Sequence, residues 1–169
     1  MALEILLLAV ISICFYTDLR YKKIYNWIIL PGTIMALAFQ LLSGGPAELW
    51  FSIKGFLLGM ALLIIPFTLG GMGAGDVKLL GFIGACGGPG FVWLTFLATA
   101  LAGGLLAILI LIKNKKLLSS LKTVWYTLLS LFGITPRVNM LGTLEAENTI
   151  AFPYGVAITT GTVVAYLMR

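Results

Sequence analysis

The sequence predicts an all-α, polytopic membrane protein with about six transmembrane helices plus an interfacial helix. Three observations lead there. Of its 169 residues, 60% are hydrophobic and only 10% charged, where a soluble domain carries about 25% charged residues. The apolar residues fall into stretches near the ~20 residues that a bilayer crossing needs. The basic residues gather at 20–23 and 113–116, and basic loops stay in the cytoplasm. The chain therefore reads as a single transmembrane domain over residues 1–169, with a lipid bilayer as its natural surroundings.

The first predicted span is 1–17, "MALEILLLAVISICFYT". Glu4 stands where the basic n-region of a signal peptide would be, and the basic residues follow the apolar run, so the segment reads as a retained helix with its N-terminus outside. The second span, 27–42, is entered from Asn26 as a cap and ended by "SGGP" at 43–46. The third covers 49–69, with Lys54 able to extend its amine to the interface and Pro66 placed to kink it. A short, glycine-dense fourth span covers 76–87. "GGPG" at 87–90 turns the chain into the fifth, 91–112, which ends on Lys113.

Residues 113–149 read as a cytoplasmic or interfacial segment. Within it, 117–133 is apolar but interrupted by Lys122, serines and threonines, which suits a helix lying in the interface rather than a seventh crossing. Residues 134–149, with Arg137, Glu145 and Glu147, read as a polar loop. The last span is 150–168. Starting outside, the chain is inside after its first, third and fifth crossings, and both basic clusters fall at such points. Gly55 with Gly59, and Gly84 with Gly88, have the small-xxx-small spacing that lets membrane helices approach closely.

Composition also excludes several chemistries. There is no histidine, so Ser-His-Asp, Cys-His and His-metal sites are absent. Cys14 and Cys86 share no ligand spacing and read as small buried hydrophobes. No cofactor and no metal site is expected. The net charge of +5 does not indicate nucleic acid, because nothing soluble presents a basic face.

Asp18 and Asp76 are the only aspartates, and the same parity puts both at the cytoplasmic face. Ionisable residues at membrane depth usually face a bundle interior or a watery cavity and often mark function. Capping accounts for Asp76, which opens a helix after a glycine loop. It does not account for Asp18, which lies at the C-terminal end of its span, where the helix dipole disfavours an anion. An ion pair with Arg20 is the alternative there. The reading that covers both is a carboxylate pair. Two close carboxylates cannot both ionise easily, so one takes a proton from water while the other polarises a substrate carbonyl. In "GGMGAGD", residues 70–76, Gly73 and Gly75 leave room for an extended substrate backbone beside Asp76. Lys78 reads as a cytoplasmic anchor or as a contact for an acidic substrate residue.

These residues resemble a known family. "GAGD" at 73–76 followed by "VKLLG" looks like the GxGD motif of the type IV prepilin peptidases. "TDLRYKKIYNW" at 17–27 is similar to the segment holding that family's first aspartate, and "FPYGVAITTG" at 152–161 resembles its closing segment. The resemblance implies an intramembrane aspartic endopeptidase of the inner (plasma) membrane. It would remove the leader of prepilin or pilin-like precursors on the cytoplasmic side, with Asp18 and Asp76 as the catalytic aspartates. Tyr25 stands where many members have proline. The four-cysteine loop of larger, N-methylating members is missing, so no methyltransferase activity is implied. The compact form looks like the short peptidases of tight-adherence (Flp/Tad) pilus systems, with archaeal preflagellin peptidases as the other match. A rival reading is a small proton- or cation-coupled carrier using the two aspartates, although a carrier needs acids near the midplane reachable from both faces. A non-catalytic scaffold with capping aspartates is the third.

Overall fold

The structure is a computed structural model, all-helical among the described residues, which are 2–68, 71–113 and 154–168. Four helical runs follow in order: α1 (Ala2–Tyr21), α2 (Asn26–Thr68), α3 (Ala74–Lys113) and α4 (Tyr154–Leu167). The first three are long and apolar enough to cross a membrane. The 14 residues of α4 rise about 21 Å, against a hydrocarbon core of about 30 Å. The interfacial helix expected at 117–133 and the polar loop at 134–149 lie outside the described residues.

The chain divides into two compact units, Met1–Gly103 with Pro153–Arg169, and Gly104–Phe152. The first holds α1, α2, most of α3, and α4. Of the second, only the closing turns of α3 are described, and they carry exposed Leu105, Ile108 and Leu109.

Spans two and three were expected as separate helices, as were four and five. Each pair is two helices that follow one another directly across a non-helical glycine, as the two arms of α2 and of α3. The breaks fall at Gly45 (φ 71°) and Gly88 (φ 78°), each followed by a proline. Glycine supplies the positive φ, and proline both removes the next N–H and restricts the residue before it. The breaks are reversals. Between Gly32 and Gly59 a straight helix would rise about 40 Å, yet Gly32 faces Phe82 while Gly59 faces Leu80 and Gly81. Thus α2 doubles back at Gly45. Similarly a straight helix would rise about 40 Å between Asp76 and Gly103 of α3, yet Tyr154 lies within electrostatic reach of Asp76 and Gly103 faces Ala157. The expected turns therefore exist, in the form of single glycines and without true loops.

The first arm of α3 is the hub. Leu79, Leu80, Phe82 and Ile83 are fully buried, with Val10 of α1 and both arms of α2 around them. This short, glycine-dense arm is thus surrounded by protein. Its glycines make the approach possible. A Cβ on Gly55 would fall on the Gly84 carbonyl, and one on Gly59 would lie 2.5 Å from the Leu80 carbonyl oxygen. Ser52 donates a hydrogen bond to the Ala85 carbonyl across the same interface. Such bonds in membranes average about 0.6 kcal/mol, so close packing is the larger contribution. Cys14 and Cys86 are buried and free, as expected. Large apolar side chains such as Trp27, Leu42 and Leu101 point outward, which suits lipid and not water.

Candidate active site

Asp18 lies in the last turn of α1. The helix stops there because Lys22 takes a left-handed conformation (φ 50°) and its N–H closes back on the Asp18 carbonyl at 2.9 Å. The Asp18 side chain is only 5% exposed. Its Oδ2 accepts a hydrogen bond from the Val156 N–H at 3.3 Å, and the Gly155 N–H also faces it. Both donors belong to the first turn of α4, where backbone N–H groups have no partner within their own helix. The ion pair considered with Arg20 does not form. Arg20 donates to the Tyr16 hydroxyl at 2.7 Å and lies over the Tyr21 ring.

Asp76 lies in the first turn of α3 and is 7% exposed. Gly73 donates its N–H to Asp76 Oδ2 at 3.1 Å, and the Asp76 N–H returns to the Gly73 carbonyl at 3.1 Å. The first bond is the N3 half of a capping box, with the Asp76 carboxylate as acceptor, and the second is a main-chain turn, since Gly73 has no side chain to complete the box. The expected capping of Asp76 is therefore realised. Asp18 and Asp76 also lie within electrostatic reach of each other, which capping alone does not require. Each acid sits on a helix N-terminus: Asp76 on that of its own helix, Asp18 on that of another.

The glycine loop is tightly placed. A Cβ on Gly75 would lie 2.9 Å from the Ile24 Cβ, and one on Gly73 would lie 3.3 Å from Asp76 Oδ2. The α1–α2 connection is thus pressed against the loop. Lys78 strengthens that seam by donating from Nζ to Asn26 Oδ1 at 3.0 Å. Asn26, expected as a cap for α2, spends its side-chain oxygen on Lys78 instead.

The sequence reading did not single out Gly155, Val156 or Ile24. A signal existed for the first two: proline just before a helix start marks an N-terminus, and helix N-termini attract anions. No group of three or more metal-ligating side chains occurs among the described residues. A cavity of about 290 Å³ opens at the opposite end of α1, beside Glu4 and Glu48, and neither aspartate lines it.

Residues 5–108, more than half of the chain, match the model of the type IV leader peptidase family. Both aspartates and the glycine loop lie inside the matched region, whereas α4 lies outside it. No curated protein and no solved structure matches the chain. The family match does not favour the carrier.

Proposed function

The chain belongs to the type IV leader peptidase family, and on that premise we propose that it is an intramembrane aspartic endopeptidase that cleaves the leader of prepilin-like precursors. The observation carrying this reading is that Asp18 and Asp76, two buried acids from distant parts of the chain, lie within electrostatic reach of each other. In this proposal the ionised member takes a proton from water. The water oxygen then bonds to the scissile carbonyl carbon while the protonated member donates to the carbonyl oxygen. Collapse of that tetrahedral species breaks the C–N bond, and the amine departs with a proton returned by the pair.

Gly73 and Gly75 belong to the proposal as the loop beside which an extended substrate lies, and Lys78 as a rim contact for it. In this proposal α1, the two arms of α2, the two arms of α3, and α4 are six crossings, and the basic clusters at 20–23 and 113–116 lie inside, so the N-terminus is outside and both acids face the cytoplasm at the plasma membrane. The precursor presents its leader there. The compact chain fits the short peptidases of Flp/Tad pilus systems.

The test is co-expression with a candidate prepilin, followed by the mobility of the product. The parent protein removes the leader, whereas Asp18→Asn and Asp76→Asn each accumulate in the membrane and leave the precursor intact. Substantial cleavage by either single variant overturns the proposal.

A further inference from the structure

We infer that the first turn of α4, through Gly155 and the Val156 N–H, is the positioning element that sets the Asp18 carboxyl group for the reaction. This deepens the proposed function and rests on its reading of Asp18 as catalytic.

Asp18 has no favourable local surroundings. It stands at the C-terminal end of α1, where the carbonyl dipoles oppose a carboxylate, and it is shielded from water. A buried carboxylate without hydrogen-bond donors is costly. The nearest basic side chain in sequence, Arg20, is turned to Tyr16 and Tyr21. The donors that remain are main-chain N–H groups of α4: that of Val156 bonds Oδ2, and that of Gly155 faces the same group. A bond to one oxygen fixes the plane of the carboxyl group, which a lone side chain on a helix end would otherwise be free to rotate.

The second observation is steric. A Cβ on Gly155 would lie 2.7 Å from Asp18 Oδ2, 2.8 Å from Cγ and 2.9 Å from Cβ. Three atoms of one short side chain crowd that point, so Asp18 cannot yield by moving its tip alone. Glycine at 155 is thus the condition for the α4 N-terminus to reach the acid. Gly161 on the same helix is also close-packed, but against Thr99, so it helps to seat α4 without touching the acid. The positioning turn lies beyond residues 5–108. An essential part of the site is therefore supplied by a segment that the family match does not cover.

The experiment uses the full chain in detergent or liposomes with three variants. Gly155→Ala drives a methyl group into Asp18. Val156→Pro removes the N–H at a first-turn position that makes no intrahelical bond. Val163→Ala, on the exposed side of the same helix, is the control. Misplacement of a reacting group by about 1 Å costs on the order of 100-fold in rate, so Gly155→Ala and Val156→Pro should lower kcat by roughly that factor, with KM within about twofold. Val163→Ala should behave as the parent. An activity-independent readout separates failure of this inference from failure of the proposed function. The infrared carboxyl band that Asp18→Asn abolishes should shift in Gly155→Ala and Val156→Pro and stay in place in Val163→Ala. An unshifted band in both donor-site variants, or parent-like kcat in both, overturns the inference. If Val156→Pro does not accumulate, Gly155→Ala decides alone, since alanine favours the helix it enters.

Discussion

The Val156 N–H donates to the Asp18 carboxylate at 3.3 Å, joining residues 138 positions apart. With that bond the last described helix becomes part of the wall around the first acid. The second acid, Asp76, is held by its own helix through Gly73. The two carboxyl groups are thus restrained independently, one by a distant segment and one locally, and the fold has only to bring the two helix N-termini together.

The glycine loop should tolerate no side chain at 75. Gly75→Ala is expected to cost about 1–3 kcal/mol in stability, the range for overpacking, and to slow leader removal. The crowding atoms are the Ile24 Cβ at 2.9 Å and its carbonyl oxygen at 3.1 Å, so Ile24→Gly should recover only part of the loss and Ile24→Ala little or none. Thermal unfolding of the two double variants in detergent checks the distinction. Equal rescue by both would show that the seam is looser than the geometry states.

Two glycines of α3 should differ although both lie at close contacts. At Gly84 a Cβ meets the backbone of Gly55, which no rotamer change relieves, whereas at Gly81 it meets the side chains of Met60 and Phe56. Gly84→Ala is expected to cost about 2–3 kcal/mol, and Gly81→Ala about 1 kcal/mol or less, since the flexible side chains can move aside. Membrane accumulation and unfolding temperature both report the order, and a reversed order would contradict the packing.

The Lys78–Asn26 hydrogen bond lies at the rim, so its contribution to stability is small. A cycle of Lys78→Met, Asn26→Leu and the double variant should give a coupling of about 0.5–1 kcal/mol. Processing kinetics separate the latch from the substrate contact proposed above. If Lys78 touches substrate, Lys78→Met raises KM while Asn26→Leu leaves it near the parent value. Identical kinetic changes in both variants would leave Lys78 only the latch.

Orientation can be read by labelling. With Lys22→Cys and Glu48→Cys made singly, a membrane-impermeant thiol reagent added to intact cells should reach position 48 and not position 22. Cys14 and Cys86 are buried and contribute little background. Labelling at 22 from outside would invert the proposed topology and remove the cytoplasmic leader as substrate.

Much of this architecture is written in local chemistry. The apolar runs demand lipid or core whatever their neighbours do. "GGP" at 44–46 and "GGPG" at 87–90 break a helix through φ and a missing N–H, both properties of the residues themselves. The capping of Asp76 was legible for the same reason, since Gly73 and Asp76 are one turn apart. Counting the predicted spans also put Asp18 and Asp76 at one end, and the two acids lie within electrostatic reach of each other.

What the chain order could not disclose is who meets whom across the bundle. Arg20 stood two positions from Asp18 and was the natural partner, yet a helix sends neighbours i and i+2 to different faces, and Arg20 turned outward. Asn26 looked like a cap and became the acceptor for Lys78. Gly155 carried only the mark of a helix start after proline, which does not say which acid it serves, because its role depends on the Asp18 side chain lying where a methyl group would otherwise be. Solubility and backbone freedom are decided residue by residue, so sequence alone determined the described helices and their breaks. The partner of a buried carboxylate is decided by which donors packing leaves within reach, and only the tertiary structure settled that.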